Sequence, residues 1–368
     1  MSEALRIVIA GGGTGGHLYP GIAVAREVLR RRADATVSFA GTARGIEVRV
    51  VPREGFALDL LRSSGLKGKS ALDRVRAAAL IPVGLVDAWR IIGRRRPQLV
   101  IGVGGYSSGP VVAAAAMRGV PTMLLEQNAV PGLTNRLLAP AARAVAVTYE
   151  STRSFFGAKS FVSGNPVRAE FLDAVGHEKE SRAGDDGSSI GVLVFGGSQG
   201  AHAINVALVE AAARLAADGP HLRLTHQTGE RDLEMVRAGY RQTGLQAEVE
   251  PFFFDMGRRL AGADVIVCRA GATTLAELTA AGKPAILIPL PTATDDHQRK
   301  NAEALSSEGA AELLLQSDLT GPVLADRILR LAGDSEARRR MAVAARSLAR
   351  PDAARVIVDR VLELIGGA

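Results

Sequence analysis

Leu5-Arg6-Ile7-Val8-Ile9-Ala10-Gly11-Gly12-Gly13-Thr14-Gly15-Gly16-His17 decides the fold class, because a short apolar run empties directly into a glycine-rich loop. Leu5–Ala10 reads as a buried strand, and the stretch from about Pro20 to Arg32 reads as the helix after it. A strand at Thr36–Ala40 completes a right-handed βαβ unit, and further strands follow at Leu99–Val103 and Thr122–Glu126. The second half restarts in the same style. Ile190–Phe195 runs into Gly196-Gly197-Ser198-Gln199-Gly200, a helix spans about Ala201 to Ala217, and Val265–Cys268 and Ala285–Pro289 are later strands. Two restarts predict an α/β protein of two Rossmann-like domains, with parallel sheets facing an interdomain cleft. The hinge is expected around Ser163–Val167, giving domains 1–163 and 164–351. The polar stretch Gly176–Ser189 reads as a loop insertion, and after Asp318 the pattern is helical. Pro351 ends one helix and starts another, over about 352–368, which packs back on the first domain.

Composition agrees. The 368 residues exceed what one ordinary core supports, and 47% hydrophobic with only 4% aromatic residues means an interior of Ala, Val, Leu and Ile. A net charge of +7 points to an anionic partner: nucleic acid, acidic lipid or a phosphorylated substrate. The single cysteine, Cys268, excludes an internal disulfide and a cysteine-cluster zinc site, in keeping with a reducing compartment. Acidic Glu3 precedes the first strand without a secretory leader pattern, and no apolar run reaches the roughly 18 residues of a membrane span. The expectation is a soluble protein, at most peripheral on a membrane.

The loop Gly11–His17 sits between strand and helix, where backbone N–H groups and the helix dipole can hold a phosphate. It satisfies G-x-G-x-x-G, but the second strand ends Phe39-Ala40-Gly41-Thr42 without the acid that grips a dinucleotide ribose. A tight turn alone is the plainer alternative. Gly102-Val103-Gly104-Gly105-Tyr106 and Gly196–Gly200 repeat the device, so the three loops are expected to line the cleft. Ser63–Ser70 ends like a P-loop, yet Ser63 stands where its first glycine belongs.

Taken together, Gly12–His17, Gly104-Gly105-Tyr106, Glu126-Gln127-Asn128, Gly164-Asn165-Pro166-Val167-Arg168, Gly196–Ala201 and Asp296-His297-Gln298 resemble the bacterial MurG family, within glycosyltransferase family 28. The resemblance runs in order from about residue 5 to 310. It implies a GT-B fold and inverting transfer of GlcNAc from UDP-GlcNAc to the C4 hydroxyl of MurNAc-pentapeptide-pyrophosphoryl-undecaprenol, turning lipid I into lipid II for peptidoglycan synthesis. No cofactor and no metal are expected, since enzymes of this fold work without one.

Carried over by position, the resemblance puts Thr14, Gly15 and Gly16 at the donor sugar or its phosphates, and Asn128 at the GlcNAc hydroxyls. Arg168 and Ser198 are placed on the diphosphate, with an interdomain salt bridge as the alternative for Arg168. Phe253 is placed by the uracil, or is an ordinary core aromatic. The segment Ala272, Thr273, Thr274 opens a helix toward the pyrophosphate, and Glu277 takes both ribose hydroxyls. Thr274 with Glu277 also reads as a capping box. Gln298 completes the sugar contacts beside His297. His17 is the candidate general base, or else binds the acceptor pyrophosphate, and Glu126 is the second candidate base. Leu125 and His202 depart from the family, where His and Arg are usual.

Lys67, Lys69, Arg74, Arg76, Arg90 and Arg94 to Arg96 flank a helix-like stretch whose apolar side includes Leu72, Val75, Leu80, Val83, Val86 and Trp89. Basic flanks around an apolar face suit anionic lipid, although any helix packed on a sheet shows the same pattern. The family resemblance implies that this lipid is that of the inner leaflet, with the protein peripheral at the cytoplasmic face of the inner membrane. The rival readings are a UDP-GlcNAc 2-epimerase, a glycolipid transferase and a non-catalytic UDP-sugar-binding subunit. Four tyrosines, one tryptophan and no stacking motif argue for no nucleic acid partner.

Overall fold

The computed structural model describes residues 4–63, 71–169, 171–173, 189–197, 199–218 and 222–366, with backbone alone over 71–79. The P-loop-like end at 64–70, Lys67, Lys69, Ser198 and nearly all of Gly176–Ser189 lie outside the described residues. The chain divides into two compact units: Met1–Arg168 with Arg350–Ala368, and Ala169–Ala349.

In the first unit, β1 (Arg6–Ala10), β2 (Thr36–Gly41), β3 (Ala57–Leu60), β4 (Leu99–Gly102), β5 (Thr122–Glu126), β6 (Ala144–Val147) and β7 (Ser160–Val162) form a parallel sheet in the order β3-β2-β1-β4-β5-β6-β7. Ile7 pairs with both Val37 and Leu99, so β1 is an interior strand. The order reverses between β1 and β4, and at such a switch point the loops leaving the two strands part in opposite directions and open a crevice. The second unit repeats the plan. Here β8 (Ile190–Phe195), β9 (Leu222–Gln227), β10 (Ala247–Glu250), β11 (Val265–Cys268), β12 (Ala285–Leu287) and β13 (Glu312–Leu313) take the order β10-β9-β8-β11-β12-β13, with the switch between β8 and β11.

Helices cover both sheets because the central strands are apolar on both faces; Val8, Ile9, Val100 and Ile101 are at most 1% exposed. Helix Ala353–Gly366 lies against helix Gly15–Arg31 and adds Ile357, Val358 and Val361 to the cluster that holds Ile9, Leu18 and Ile22. Each such fully buried aliphatic side chain contributes about 1.5–3 kcal/mol. Helix Gly15–Arg31 starts ahead of the Pro20 start read from the sequence, for the Thr14 carbonyl accepts from the His17 and Leu18 N–H groups and closes the first turn early.

Candidate functional site

At the first switch point the glycine loop is pinned by a carboxylate that sequence reading passed over. Glu47, 1% exposed, accepts the Gly13 N–H at Oε2 (2.8 Å) and the Thr42 N–H and hydroxyl at Oε1 (2.9 and 3.1 Å). The loop after β4 closes on the same place: a Cβ on Gly105 would stand 2.8 Å from the Gly12 carbonyl oxygen. His17 lies between the loops. Its Nδ1 is 3.2 Å from Thr14 Oγ1, and its ring packs so closely on Gly104 that a Cβ there would come within 2.7 Å of Cδ2. Thr14, Gly15, Gly16 and His17 therefore share one rim. Arg168 joins them through Tyr19, whose ring lies 4.5 Å from the guanidinium and beside Gly15.

Glu126, at the end of β5, is 3% exposed. Its Oε1 accepts from the Asn128 N–H (3.1 Å) and Nδ2 (3.2 Å), its Oε2 from the Gly132 N–H (3.0 Å) and Asn135 Nδ2 (2.9 Å). Burial pushes its carboxyl up from the usual range, against the pull of these four donors. Both oxygens are thus engaged in folding the turn that carries Asn128.

In the second unit Gly200 takes left-handed backbone, φ +71°, and sits so close to the Thr228 carbonyl that no Cβ fits. Buried Gln227 joins two neighbouring segments: its Nε2 donates to the Gly197 carbonyl (2.9 Å) and its Oε1 accepts the Phe253 N–H (2.9 Å). Phe253 is 4% exposed under the Arg259 guanidinium, 3.9 Å from the ring centroid. With its N–H given to Gln227, base reading by Phe253 would fall to its carbonyl. Across the switch point, the helix that holds Ala272, Thr273, Thr274 and Glu277 spans Ala272–Ala281 with Gly271 as N-cap. Thr274 is therefore inside the first turn, and the capping-box reading does not apply. Glu277 is buried, and its charge is the lesser of two causes, after burial, that push the Cys268 thiol upward. Arg269 donates to the Ile288 and Pro289 carbonyls (3.0 Å each) and to Gln316 Oε1 (2.7 Å), and burial lowers its pKa. Gln298 accepts the Leu290 N–H (3.0 Å), so it stands next to the same strand end. Asp295 and Asp296, both left-handed at φ +55° and +54°, lead into its helix, a strained entry of about 1–3 kcal/mol per residue.

Behind these loops runs a buried polar chain. His226 meets the Tyr240 hydroxyl at Nδ1 (2.7 Å) and Asn205 Oδ1 at Nε2 (3.0 Å), and Asn205 Nδ2 donates to Asp232 (2.8 Å), which also meets His202 (3.0 Å). Burial pushes His226 down to about 3, against the opposing charge of Asp232. The folded state therefore refuses a proton that the unfolded chain accepts below pH 6.5, and stability falls as pH drops from there toward about 3. A slope of up to ~1.4 kcal/mol per pH unit is expected in the unfolding free energy from urea titrations, flattened in His226→Gln; equal slopes in both proteins would remove the assignment.

Of the sequence-read candidates, the first unit gathers Thr14, Gly15, Gly16, His17 and Arg168 at one rim, with Glu126 and Asn128 on the turn after β5. The second unit gathers Phe253, Ala272, Thr273, Thr274, Glu277 and Gln298 around the ends of its strands, while Ser198 lies outside the described residues. Glu47, Gln227, Arg269 and Asn135 were missed, since each acts through contacts distant in sequence.

The Glycosyltransferase family 28 N-terminal domain model matches residues 7–147 and the C-terminal domain model residues 191–357. The chain is 48% identical to the UDP-N-acetylglucosamine--N-acetylmuramyl-(pentapeptide) pyrophosphoryl-undecaprenol N-acetylglucosamine transferase of Pelobacter propionicus, over 97% of this chain and 99% of that protein. It is 47% identical to the transferase of the same name from Myxococcus xanthus, over 98% and 93%. Among solved structures, the crystal structure of Acinetobacter baumannii MurG matches with a TM-score of 0.78 at 30% identity, covering 98% of this chain and 99% of that one. The expected GT-B class of two Rossmann-like units is the fold these likenesses support.

Proposed function

The chain belongs to the MurG family of glycosyltransferase family 28, and from that premise we propose that it transfers GlcNAc from UDP-GlcNAc to the C4 hydroxyl of lipid I, yielding lipid II and UDP. The near full-length identity of 48% carries this reading. In the proposed reaction His17 takes the hydroxyl proton as the acceptor oxygen attacks C1 from the face opposite the diphosphate. The C1–O4 bond forms, the bond from C1 to the diphosphate oxygen breaks with its electron pair leaving on UDP, and the anomeric centre inverts. Arg168, Ser198 and the N–H groups opening helix Ala272–Ala281 stabilise the charge that develops on the leaving diphosphate. Phe253 borders the uracil, Glu277 holds the ribose, and Gln298 and Asn128 hold the sugar. Glu126, with both oxygens bonded within its own turn, orders Asn128 and leaves proton removal to His17.

UDP release and product mass, with UDP-GlcNAc in the presence and absence of a short-chain lipid I analogue, test the reaction. Acceptor-dependent disaccharide formation is expected. UDP release without acceptor would favour epimerase-like chemistry, and donor binding without turnover a non-catalytic subunit.

Among the described residues no helix is long and apolar enough to cross a membrane. Contact with anionic inner-leaflet lipid, peripheral at the cytoplasmic face, is proposed for helix Ala71–Arg95, where Ile81 and Trp89 are 51% and 42% exposed beside exposed Arg90. Arg118, its guanidinium 4.1 Å from the Trp89 ring centroid, adds a cation. Charging this face removes about 1.5–3 kcal/mol per apolar side chain, so Ile81→Glu/Trp89→Glu is expected to weaken sedimentation with anionic vesicles at least ~10-fold. Unchanged sedimentation would place lipid contact elsewhere.

A further inference from the structure

We propose that Glu47 is a positioning residue for the transfer, holding the glycine loop so that His17 meets the acceptor hydroxyl. The inference rests on the reading of His17 as base. Three glycines are shaped around this one side chain: a Cβ on Gly12 would stand 2.5 Å from its carboxyl carbon, one on Gly41 2.8 Å from its Cγ, and one on Gly45 would overlap its carboxylate. Gly12 and Gly13 have φ of +156° and +86°, a path that L side chains rarely adopt, and Glu47 Oε2 fixes it at the Gly13 N–H. One residue further on, Thr14 Oγ1 meets His17 Nδ1, so the loop set by Glu47 sets the imidazole. The other oxygen holds Thr42, whose hydroxyl is 3.5 Å from that of Tyr106 on the loop after β4. One carboxylate thereby fixes the relative placement of the segments leaving β1, β2 and β4.

Every group bonded to Glu47 here is a donor, so Glu47→Gln must turn its amide N–H₂ toward another donor and release either Gly13 or Thr42. A loop displaced by even ~1 Å is expected to cost about 100-fold in kcat, and KM for UDP-GlcNAc rises with it, since Thr14, Gly15 and Gly16 of the same loop are assigned to the donor. A role in stability alone would leave kcat at the wild-type value at temperatures well below the melting transition. The decisive measurement is a double-mutant cycle with His17→Ala. If Glu47 acts through His17, Glu47→Gln costs almost nothing more once the imidazole is gone; additive losses overturn the proposal. Thr42→Val, which removes only the hydroxyl contacts, is run in the same cycle and is expected to lower kcat about fivefold, again non-additively. If Glu47→Gln does not fold, this variant decides, and wild-type turnover in it overturns the proposal. Absence of product from the wild-type enzyme would instead sink the reaction itself, whereas turnover with additive losses sinks only the assignment of Glu47.

Discussion

His17→Ala is expected to lower kcat by about 10³-fold while changing the Kd for UDP less than threefold, because a positioned base contributes ~10²–10⁴ and the imidazole has no assigned UDP contact. The ring is half-buried between two loops, and the bonds from Gly13 and Thr42 to Glu47 do not involve it, so the first unit should stay folded. Steady-state kinetics separate the two roles the sequence leaves open. Loss in kcat at unchanged KM for the lipid I analogue identifies the base. A raised KM with near-normal kcat would make His17 a ligand for the acceptor pyrophosphate.

Glu277→Ala is expected to weaken UDP binding about 100-fold, roughly 2.7 kcal/mol, if the buried carboxylate accepts from both ribose hydroxyls as proposed. Calorimetry with UDP and 2′-deoxy-UDP checks the cause. The wild type should discriminate between the two ligands and Glu277→Ala should not. Discrimination that survives in the variant would move ribose recognition to another residue. The helix start at Ala272 gives the test its meaning, because a Glu277 engaged in capping would have lost helix stability instead.

β5, β8 and β11 are legible to the residue, as Thr122–Glu126, Ile190–Phe195 and Val265–Cys268, because a strand buried on both faces appears as an unbroken apolar run between turn residues. Short strands such as Ser160–Val162 and Glu312–Leu313 escape, having too few residues to show a period. Helix starts shift for a local reason: proline in a first turn is a preference, and the Thr14 carbonyl and the Gly271 cap outweigh the sequence signals at Pro20 and Thr274.

By itself the sequence determined the two parallel α/β sheets, the glycine loops at their strand ends and the family, all of which depend on neighbours within a few residues or on motifs kept in order. Only the tertiary structure decided what holds those loops. Glu47 lies 34 residues from Gly13, and Gln227 lies 30 from Gly197 and 26 from Phe253. In sequence they are a solitary acid and a solitary amide. They gain partners only when strands distant along the chain come to lie side by side, where the loss of water makes each buried donor require an acceptor.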